Sequence, residues 1–279
     1  MPGTNLTRNE ATQRSQLIAT ESYDVALDLT QGAETFGTRS TVRFTCAQPG
    51  AETWIDFVGR SVESVVLNGR ELDAAEVFAD SRITLTDLAA DNELVVEATG
   101  VYMNTGEGLH RFVDPADGEV YLYTQFEVPD SRRMYAVFEQ PDLKATFTFS
   151  VTAPAHWQVI SNEPTPEPEA APEATNADGG EVALWRFPAT PRISSYITAL
   201  VAGPYDVVRD SVTTRKGEVP LGVFCRKSLR PYLDAENVID VTKRGFAFFE
   251  EEFDFPYPFT KYDPSRPSTT WARWRTPAA

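Results

Sequence analysis

The segment from residue 121 to residue 147 reads YLYTQFEVPDSRRMYAVFEQPDLKATF. An aromatic run at residues 121–126 predicts a strand, since aromatic residues are enriched in strands. The run leads directly into the carboxylate of Glu127. A Pro-Asp turn, the adjacent Arg132 and Arg133, an aromatic cluster and a second Pro-Asp pair follow. We expect Tyr121, Tyr123 and Phe126 to pack in a core rather than to form a ligand site.

The order of residues in this segment resembles the N-terminal signature of the M1 family of zinc aminopeptidases. That signature runs approximately TQFE, then DxRR, then a stretch close to CFDEPxxKATF. Because many positions agree in order within one segment, the signal is specific. Residues 194–203 and 256–263 are also similar to the family, where such stretches close the N-terminal domain and enter the catalytic domain. The matching positions of the signature are Thr124, Gln125, Phe126, Glu127, Asp130, Arg132, Arg133, Phe138, Pro141, Lys144, Ala145, Thr146 and Phe147.

Local patterns predict a mainly β fold. Thr7 and Glu10 predict a capping box at the start of a short helix, and from residue 22 the apolar period changes to two, as in a half-buried strand. Asn68-Gly69 predicts a hairpin because both residues tolerate positive φ. Residues 104–119 and 164–180 are interpreted as loops, residues 196–201 and 221–225 as strands, and residues 233–253 as a helix.

The resemblance divides the chain into domains. It implies an N-terminal β-saddle or β-sandwich domain at residues 1–204. It also implies that residues 205–263 begin an α/β thermolysin-like catalytic domain, with one strand and one helix.

Composition limits the partners and the location. The net charge of −16 argues against nucleic acid, because little cationic surface is left to neutralise phosphates. No apolar run approaches the ~20 residues that span a bilayer, and residues 1–16 lack the hydrophobic core of a signal peptide. Cys46 and Cys225 form no CxxC pair and are expected to be buried free thiols. We therefore expect a cytoplasmic protein without membrane contact.

After Asp263 the sequence departs from the family pattern. The family continues with PEYNxGAMENA, whereas residues 267–277 read PSTTWARWRTP. Codons chosen for PEYNMGAMENA, when read one base later, encode PSTTWARWRTP, and both Met codons then become Trp. We therefore expect a frame shift between Asp263 and Pro267, with residues 264–279 as an out-of-frame tail. Resequencing of the locus tests this, and an in-frame gene with no GAMEN string in the shifted frame would contradict it.

The zinc chemistry of the family requires an HExxH helix, in which two histidines bind the metal and the glutamate acts as general base. This sequence contains His110 and His156 and no HExxH motif. Each histidine is expected to have a structural or surface role. We therefore predict no catalytic residue and no metal ligand in this chain; zinc is implied for the intact family member.

The resemblance implies two substrate ligands. Glu127, together with the glutamate of GAMEN, would bind the free α-ammonium of a peptide through charge-assisted hydrogen bonds, and Gln125 would line the first side-chain pocket. From the residues alone, the alternative is that Gln125 and Glu127 merely end a strand, with Glu127 in solvent or paired with Arg132 or Arg133. The two arginines are expected to pair carboxylates at a bend. Glu139 and Asp142 are expected in a solvated turn rather than as paired glycosidase acids.

The chain is therefore interpreted as the N-terminal part of a zinc aminopeptidase that acts on peptides with a free N-terminal amine, inactive on its own. The alternatives are a non-catalytic β-sandwich module that binds peptides and a purely structural fragment. The apolar face of the helix at residues 233–253 predicts poor solubility.

Overall fold

The computed structural model describes residues 5–171, 175–177 and 179–266, and within them the fold is mainly β, as the sequence predicts. The helices are α1 (Arg8–Leu17), α2 (Ala74–Val77) and α3 (Ala235–Glu252), with 3-10 turns at Ser131–Arg133, Ser195–Ile197 and Lys227–Tyr232. The strands are β1 (Ile18–Asp28), β2 (Thr35–Cys46), β3 (Thr53–Asp56), β4 (Ser61–Leu67), β5 (Arg70–Leu72), β6 (Phe78–Ala79), β7 (Arg82–Leu85), β8 (Asp91–Val101), β9 (Gly108–Val113), β10 (Val120–Gln125), β11 (Thr146–Pro154), β12 (Gln158–Ser161), β13 (Glu169–Ala170), β14 (Val182–Arg186), β15 (Leu200–Gly203), β16 (Asp206–Thr214), β17 (Gly217–Cys225) and β18 (Ser265–Arg266).

The largest sheet has eight strands in the order β13-β14-β11-β1-β2-β8-β4-β5. The third and fourth strands of this order, β11 and β1, form a parallel pair in which Tyr23 lies opposite Phe147 and Val25 opposite Phe149. The rings of Tyr23 and Phe147 stack with their centroids 4.8 Å apart. The end of the 121–147 segment therefore enters the middle of this sheet and packs on its buried face.

Strand β10 lies in a second sheet, whose order is β12-β15-β10-β9. Both faces of β10 are covered. Leu122 belongs to the main hydrophobic core, whereas Tyr121 and Tyr123 pack in a second cluster with Tyr205 and Phe224. The prediction that the aromatic run packs in a core is confirmed, since the strand is buried from Tyr121 to Thr124. A third sheet, β3-β7-β6, has three strands.

The last sheet has the order β16-β17-β18 and packs against α3. Ile239 of α3 joins Leu221 and Val223 of β17 in a separate apolar cluster. Asp234 caps this helix by accepting a hydrogen bond from the backbone N–H of Asn237 at 3.1 Å. This unit follows the position at which the sequence predicts a domain boundary, near residue 205; the boundary itself stays a prediction.

Several local predictions are confirmed. Thr7 and Glu10 form the capping box of α1. Asn68 and Gly69 have φ values of 54° and 77° and connect β4 to β5. Cys46 and Cys225 are both free and buried.

Two predictions about elements are wrong, and one strand has no counterpart among the predictions. Residues 104–119 are not only a loop, because β9 forms there through pairing with β10. Residues 196–201 are not one strand, because a 3-10 turn at Ser195–Ile197 precedes β15. Strand β16 was not predicted, and its long antiparallel pairing with β17 explains why a mostly polar segment is extended.

The loop predicted at residues 164–180 contains the two-residue strand β13, and residues 172–174 and 178 lie outside the described part. The tail predicted at residues 264–279 lies outside it from Pro267 onward. Among the described helices, none combines the length and the apolar composition that crossing a membrane requires.

Candidate substrate-binding site at the end of strand β10

The candidate site begins where β10 ends. Gln125, its last residue, is half-buried and pairs with Gly108 of β9. The next residue, Phe126, is 2% exposed and packs edge-to-face on Tyr135 at 6.4 Å. Because Phe126 anchors the chain in the core, the residue that follows it emerges at the surface.

That residue is Glu127, which is exposed. Within residues 5–171, 175–177 and 179–266, its side chain takes part in no hydrogen bond and no ion pair. It opens a turn at residues 127–130, which we call the 127–130 turn and which includes a cis peptide bond between Val128 and Pro129. Gln125 is thus the last residue of β10 and Glu127 lies two residues beyond it, and their roles as substrate ligands remain predictions.

Arg133 does not pair with Glu127. Its Nε lies 2.6 Å from Asp130 Oδ1, and a second guanidinium nitrogen lies 3.4 Å from Glu107 Oε2. The prediction that an arginine pairs carboxylates at this bend is confirmed for Arg133. Arg133 therefore joins the 127–130 turn to the residue that precedes β9.

Arg132 behaves differently from Arg133. It is 5% exposed, and its Nε has no hydrogen-bond partner. Among the described residues no carboxylate forms an ion pair with it, so the predicted carboxylate pairing is wrong for Arg132. Its backbone N–H instead donates to Glu139 Oε2 at 2.8 Å.

The expectation of a solvated turn is wrong for Glu139, which is 4% exposed. Its carboxylate accepts hydrogen bonds from the hydroxyl of Ser131, from the N–H of Arg132 at 2.8 Å and from the hydroxyl of Ser195 at 3.1 Å. Burial raises the pKa of Glu139 above its ordinary value. Asp142, in contrast, is exposed as expected. Glu139 therefore ties the turn after Glu127 to the 3-10 turn at Ser195–Ile197.

His110 has structural surroundings, whereas His156 is exposed. His110 Nδ1 accepts a hydrogen bond from the backbone N–H of Gly106 at 3.0 Å, and its ring lies 4.6 Å from the ring of Tyr123. Burial lowers the pKa of His110. His156 contacts the ring of Trp157 at 6.4 Å.

The donor residues of the described part do not fit a zinc site. Over residues 5–171, 175–177 and 179–266, no group of three or more His, Cys, Asp or Glu side chains is placed to hold a metal ion. The zinc that the resemblance implies is therefore not assigned to residues of this part of the chain.

Sequence reasoning missed two groups of residues around Glu127. One is the pair of hydroxyls, Ser131 and Ser195, that satisfy Glu139. The other is Glu107 with Gly108, which contact Arg133. Neither group carries a local signal, because each contact joins residues from separate elements.

Comparison with known proteins identifies the family. Residues 19–197 match the family model described as Peptidase M1 N-terminal domain. The chain belongs to the peptidase M1 family. Residues 121–147, which contain the signature, lie within the matched range.

Relatives in the M1 family are considerably longer than this chain. Over 267 residues the chain is 55% identical to Aminopeptidase N of Streptomyces lividans, covering 94% of this chain and 30% of that protein. It is 29% identical over 235 residues to Aminopeptidase N of Acetobacter pasteurianus, covering 77% of this chain and 62% of that protein. Probable aminopeptidase 1 of Sulfurisphaera tokodaii is 26% identical over 245 residues. The chain thus corresponds to the N-terminal part of an M1 aminopeptidase and spans under a third of the Streptomyces relative.

Proposed function

We propose that this chain forms the amine-binding part of a zinc-dependent aminopeptidase that removes N-terminal residues from peptides. Glu127 binds the free α-ammonium of the substrate, and Gln125 lines the first side-chain pocket. The observation that carries the proposal is the exposed Glu127 carboxylate, which has no partner in the described residues and lies two residues beyond the end of β10, a strand buried on both faces. Such a carboxylate lies next to a well-packed strand end and is free to accept charge-assisted hydrogen bonds.

By itself, one carboxylate in solvent holds an ammonium weakly. An exposed ion pair contributes about 0–1 kcal/mol, because water screens the charges. The resemblance implies that a second carboxylate, from a GAMEN stretch, binds the same ammonium. It also implies a metal-bound water for the chemical step. The 279 residues contain neither a GAMEN nor an HExxH string. The chain on its own is therefore proposed to be inactive and to bind free-amine peptides weakly.

A chimera tests the proposal. Residues 5–263 of this chain replace the matching segment of Aminopeptidase N from Streptomyces lividans, and hydrolysis of a chromogenic aminoacyl substrate with a free amine is measured. Glu127→Gln keeps the shape of the side chain and removes its charge. Since a hydrogen bond to a charged group contributes about 1.5–3 kcal/mol, we expect kcat/KM to fall about 10- to 100-fold.

The matched control is Glu21→Gln. Glu21 is also exposed, and no side-chain partner is found for it in the described residues. We expect this variant to keep the activity of the parent chimera. An active chimera in which Glu127→Gln stays within twofold of the parent would overturn the proposed role of Glu127.

The unmodified 279-residue chain provides a second test. It is expected to hydrolyse no aminoacyl substrate, with or without added zinc. If it bound a free-amine peptide at micromolar concentration without zinc and lost this binding in Glu127→Ala, the chain would be a non-catalytic binding module instead.

We also propose the cytoplasm as the location. The proposal is supported by Cys46 and Cys225, which remain free thiols in the fold. Labelling of both thiols in protein purified without reductant and then denatured tests it, and a disulfide between them would contradict it.

A further inference from the structure

We propose that Arg133 is a positioning residue for Glu127, which fixes the 127–130 turn on the start of β9 and neutralises the two carboxylates next to it. This inference deepens the proposed function and rests on it for the role of Glu127 toward the substrate.

The first observation is how Arg133 is attached. Its backbone N–H donates to the carbonyl oxygen of Asp130 at 3.1 Å, and its Nε donates to the Asp130 carboxylate at 2.6 Å. Its side chain is 16% exposed and that of Asp130 13% exposed. The last residue of the 127–130 turn is therefore held twice by the same arginine, in a partly desolvated place where such bonds gain strength.

The second observation is the close contact between Arg133 and Gly108. A Cβ added at Gly108 would lie 2.8 Å from Arg133 Cβ, and Gly108 has a φ of +60°. Both facts favour glycine, so the stem of the arginine lies directly on the first residue of β9. Gly108 pairs with Gln125. Arg133 therefore links the turn after Glu127 to the strand register that places Gln125.

The third observation is charge. Arg133 also contacts Glu107, whose carboxylate lies 3.4 Å from a guanidinium nitrogen. Asp130 and Glu107 thus share one cation, whereas Glu127 has none among the described residues. A substrate ammonium that approaches this surface meets one uncompensated carboxylate rather than three. Opposite charges at a few ångströms attract strongly only where solvent is partly excluded, so Arg133 pairs most strongly with Asp130, whose side chain is 13% exposed, and less strongly with Glu107, whose side chain is 50% exposed.

The test of the structural part uses NMR relaxation of the full 279-residue chain in a background of Phe249→Glu and Phe253→Glu, which replace exposed aromatic residues at the end of α3, and it requires no substrate. Backbone order parameters are ~0.85 for rigid and below ~0.6 for flexible residues. We expect Arg133→Gln to lower the order parameter of the Glu127 amide toward ~0.6, and Arg133→Lys to lower it less, because the charge is kept. The control is Arg43→Gln, since Arg43 also bridges two carboxylates, Asp24 and Glu93, on another sheet. An unchanged order parameter in Arg133→Gln, or an equal drop in Arg43→Gln, overturns the inference.

The test of the catalytic consequence uses the chimera and a double-mutant cycle. A misplacement of about 1 Å can reduce a rate about 100-fold, so we expect Arg133→Gln to lower kcat/KM about 10- to 100-fold. In the Glu127→Gln background, Arg133→Gln is expected to lower kcat/KM by less than about twofold. The reason is that Arg133 acts through Glu127, so the two substitutions remove the same interaction with the substrate. Equal losses in the two backgrounds would show a general structural role and overturn the inference. If Glu127→Gln alone has no effect, the proposed function fails, and the NMR result still decides whether Arg133 holds the turn.

Discussion

Replacing Asp56 by Ala tests how helix α1 holds the M1 signature segment in place. Asp56 Oδ2 accepts a hydrogen bond from Arg14 at 3.0 Å and another from the backbone N–H of Glu139 at 3.3 Å. Arg14 Nε also donates to Gln140 Oε1 at 3.0 Å. The side chains of Arg14 and Asp56 are 0% and 5% exposed. Helix α1, strand β3 and the signature segment therefore meet at a buried ion pair.

The expected loss follows from this burial. Without the Asp56 carboxylate, the Arg14 guanidinium remains in the core without a counter-charge, and the Glu139 N–H loses its acceptor. Breaking a buried pair by removing one partner costs about 3–5 kcal/mol. Because whole domains are stable by only about 5–15 kcal/mol, the variant is expected to lose much of its stability. The control Asp24→Ala removes a half-exposed partner of Arg43 and is expected to cost about 0–1 kcal/mol.

Urea unfolding at micromolar protein concentration measures both variants. Tryptophan fluorescence is a suitable probe, since the Arg14 guanidinium lies 5.0 Å from the centroid of the Trp54 ring. The double variant Arg14→Met with Asp56→Leu removes both charges and is expected to recover most of the loss, because apolar replacement of a buried pair is often neutral. A loss under about 1 kcal/mol for Asp56→Ala, or no recovery in the double variant, would refute this reasoning.

Three further predictions concern acid stability, a close backbone contact and solubility. The hydrogen bond from Arg82 lowers the pKa of Glu10 from 4.5 to about 2, so the stability from this carboxylate is present above pH 4.5 and is lost as the pH falls toward 2. Thermal melts across this range should show a shallower pH dependence for Glu10→Gln, and an unchanged slope would contradict the assignment. Gly203→Ala places a Cβ 2.7 Å from the carbonyl oxygen of Val120 at a φ of +148°, so it should lower the free energy of unfolding in urea by about 1–3 kcal/mol. The control Gly245→Ala, with nothing near its added Cβ, should be neutral or stabilising. Equal effects of the two variants would show the contact to be unimportant. Phe248, Phe249 and Phe253 are 57%, 54% and 69% exposed, so the chain should aggregate. The double variant Phe249→Glu with Phe253→Glu should raise the monomer fraction measured by light scattering. A monodisperse, cooperatively melting parent chain would show this prediction to be wrong.

Local signals predicted much of the fold correctly. The capping box of α1 and the Asn68-Gly69 hairpin depend on residues next to each other, and their conformations are set by short-range sterics and hydrogen bonds. The mainly β class follows from alternating apolar residues, and membership of the M1 family follows from the order of residues in one segment.

Strands that depend on distant partners were not predicted well. Strand β9 lies in a segment with several glycines, and β16 contains polar residues such as Arg209 and Asp210. Each is extended because it pairs with a strongly apolar neighbour, β10 or β17. Strand propensity depends on this tertiary setting more than on the residues themselves, so a single sequence cannot reveal such strands.

The candidate site shows the same contrast between features set by local sequence and features set by distant partners. By itself, the sequence determined the mainly β class and the family. It also marked Gln125 and Glu127 as candidate substrate ligands through the family pattern, and these roles stay predictions. Only the tertiary structure decided that Glu127 is exposed and unpaired among the described residues, that Glu139 is buried, and that Arg133 contacts Asp130 and Glu107. The physical reason is that solvation and charge pairing depend on distances between separate elements, and those distances exist only once the sheets have packed.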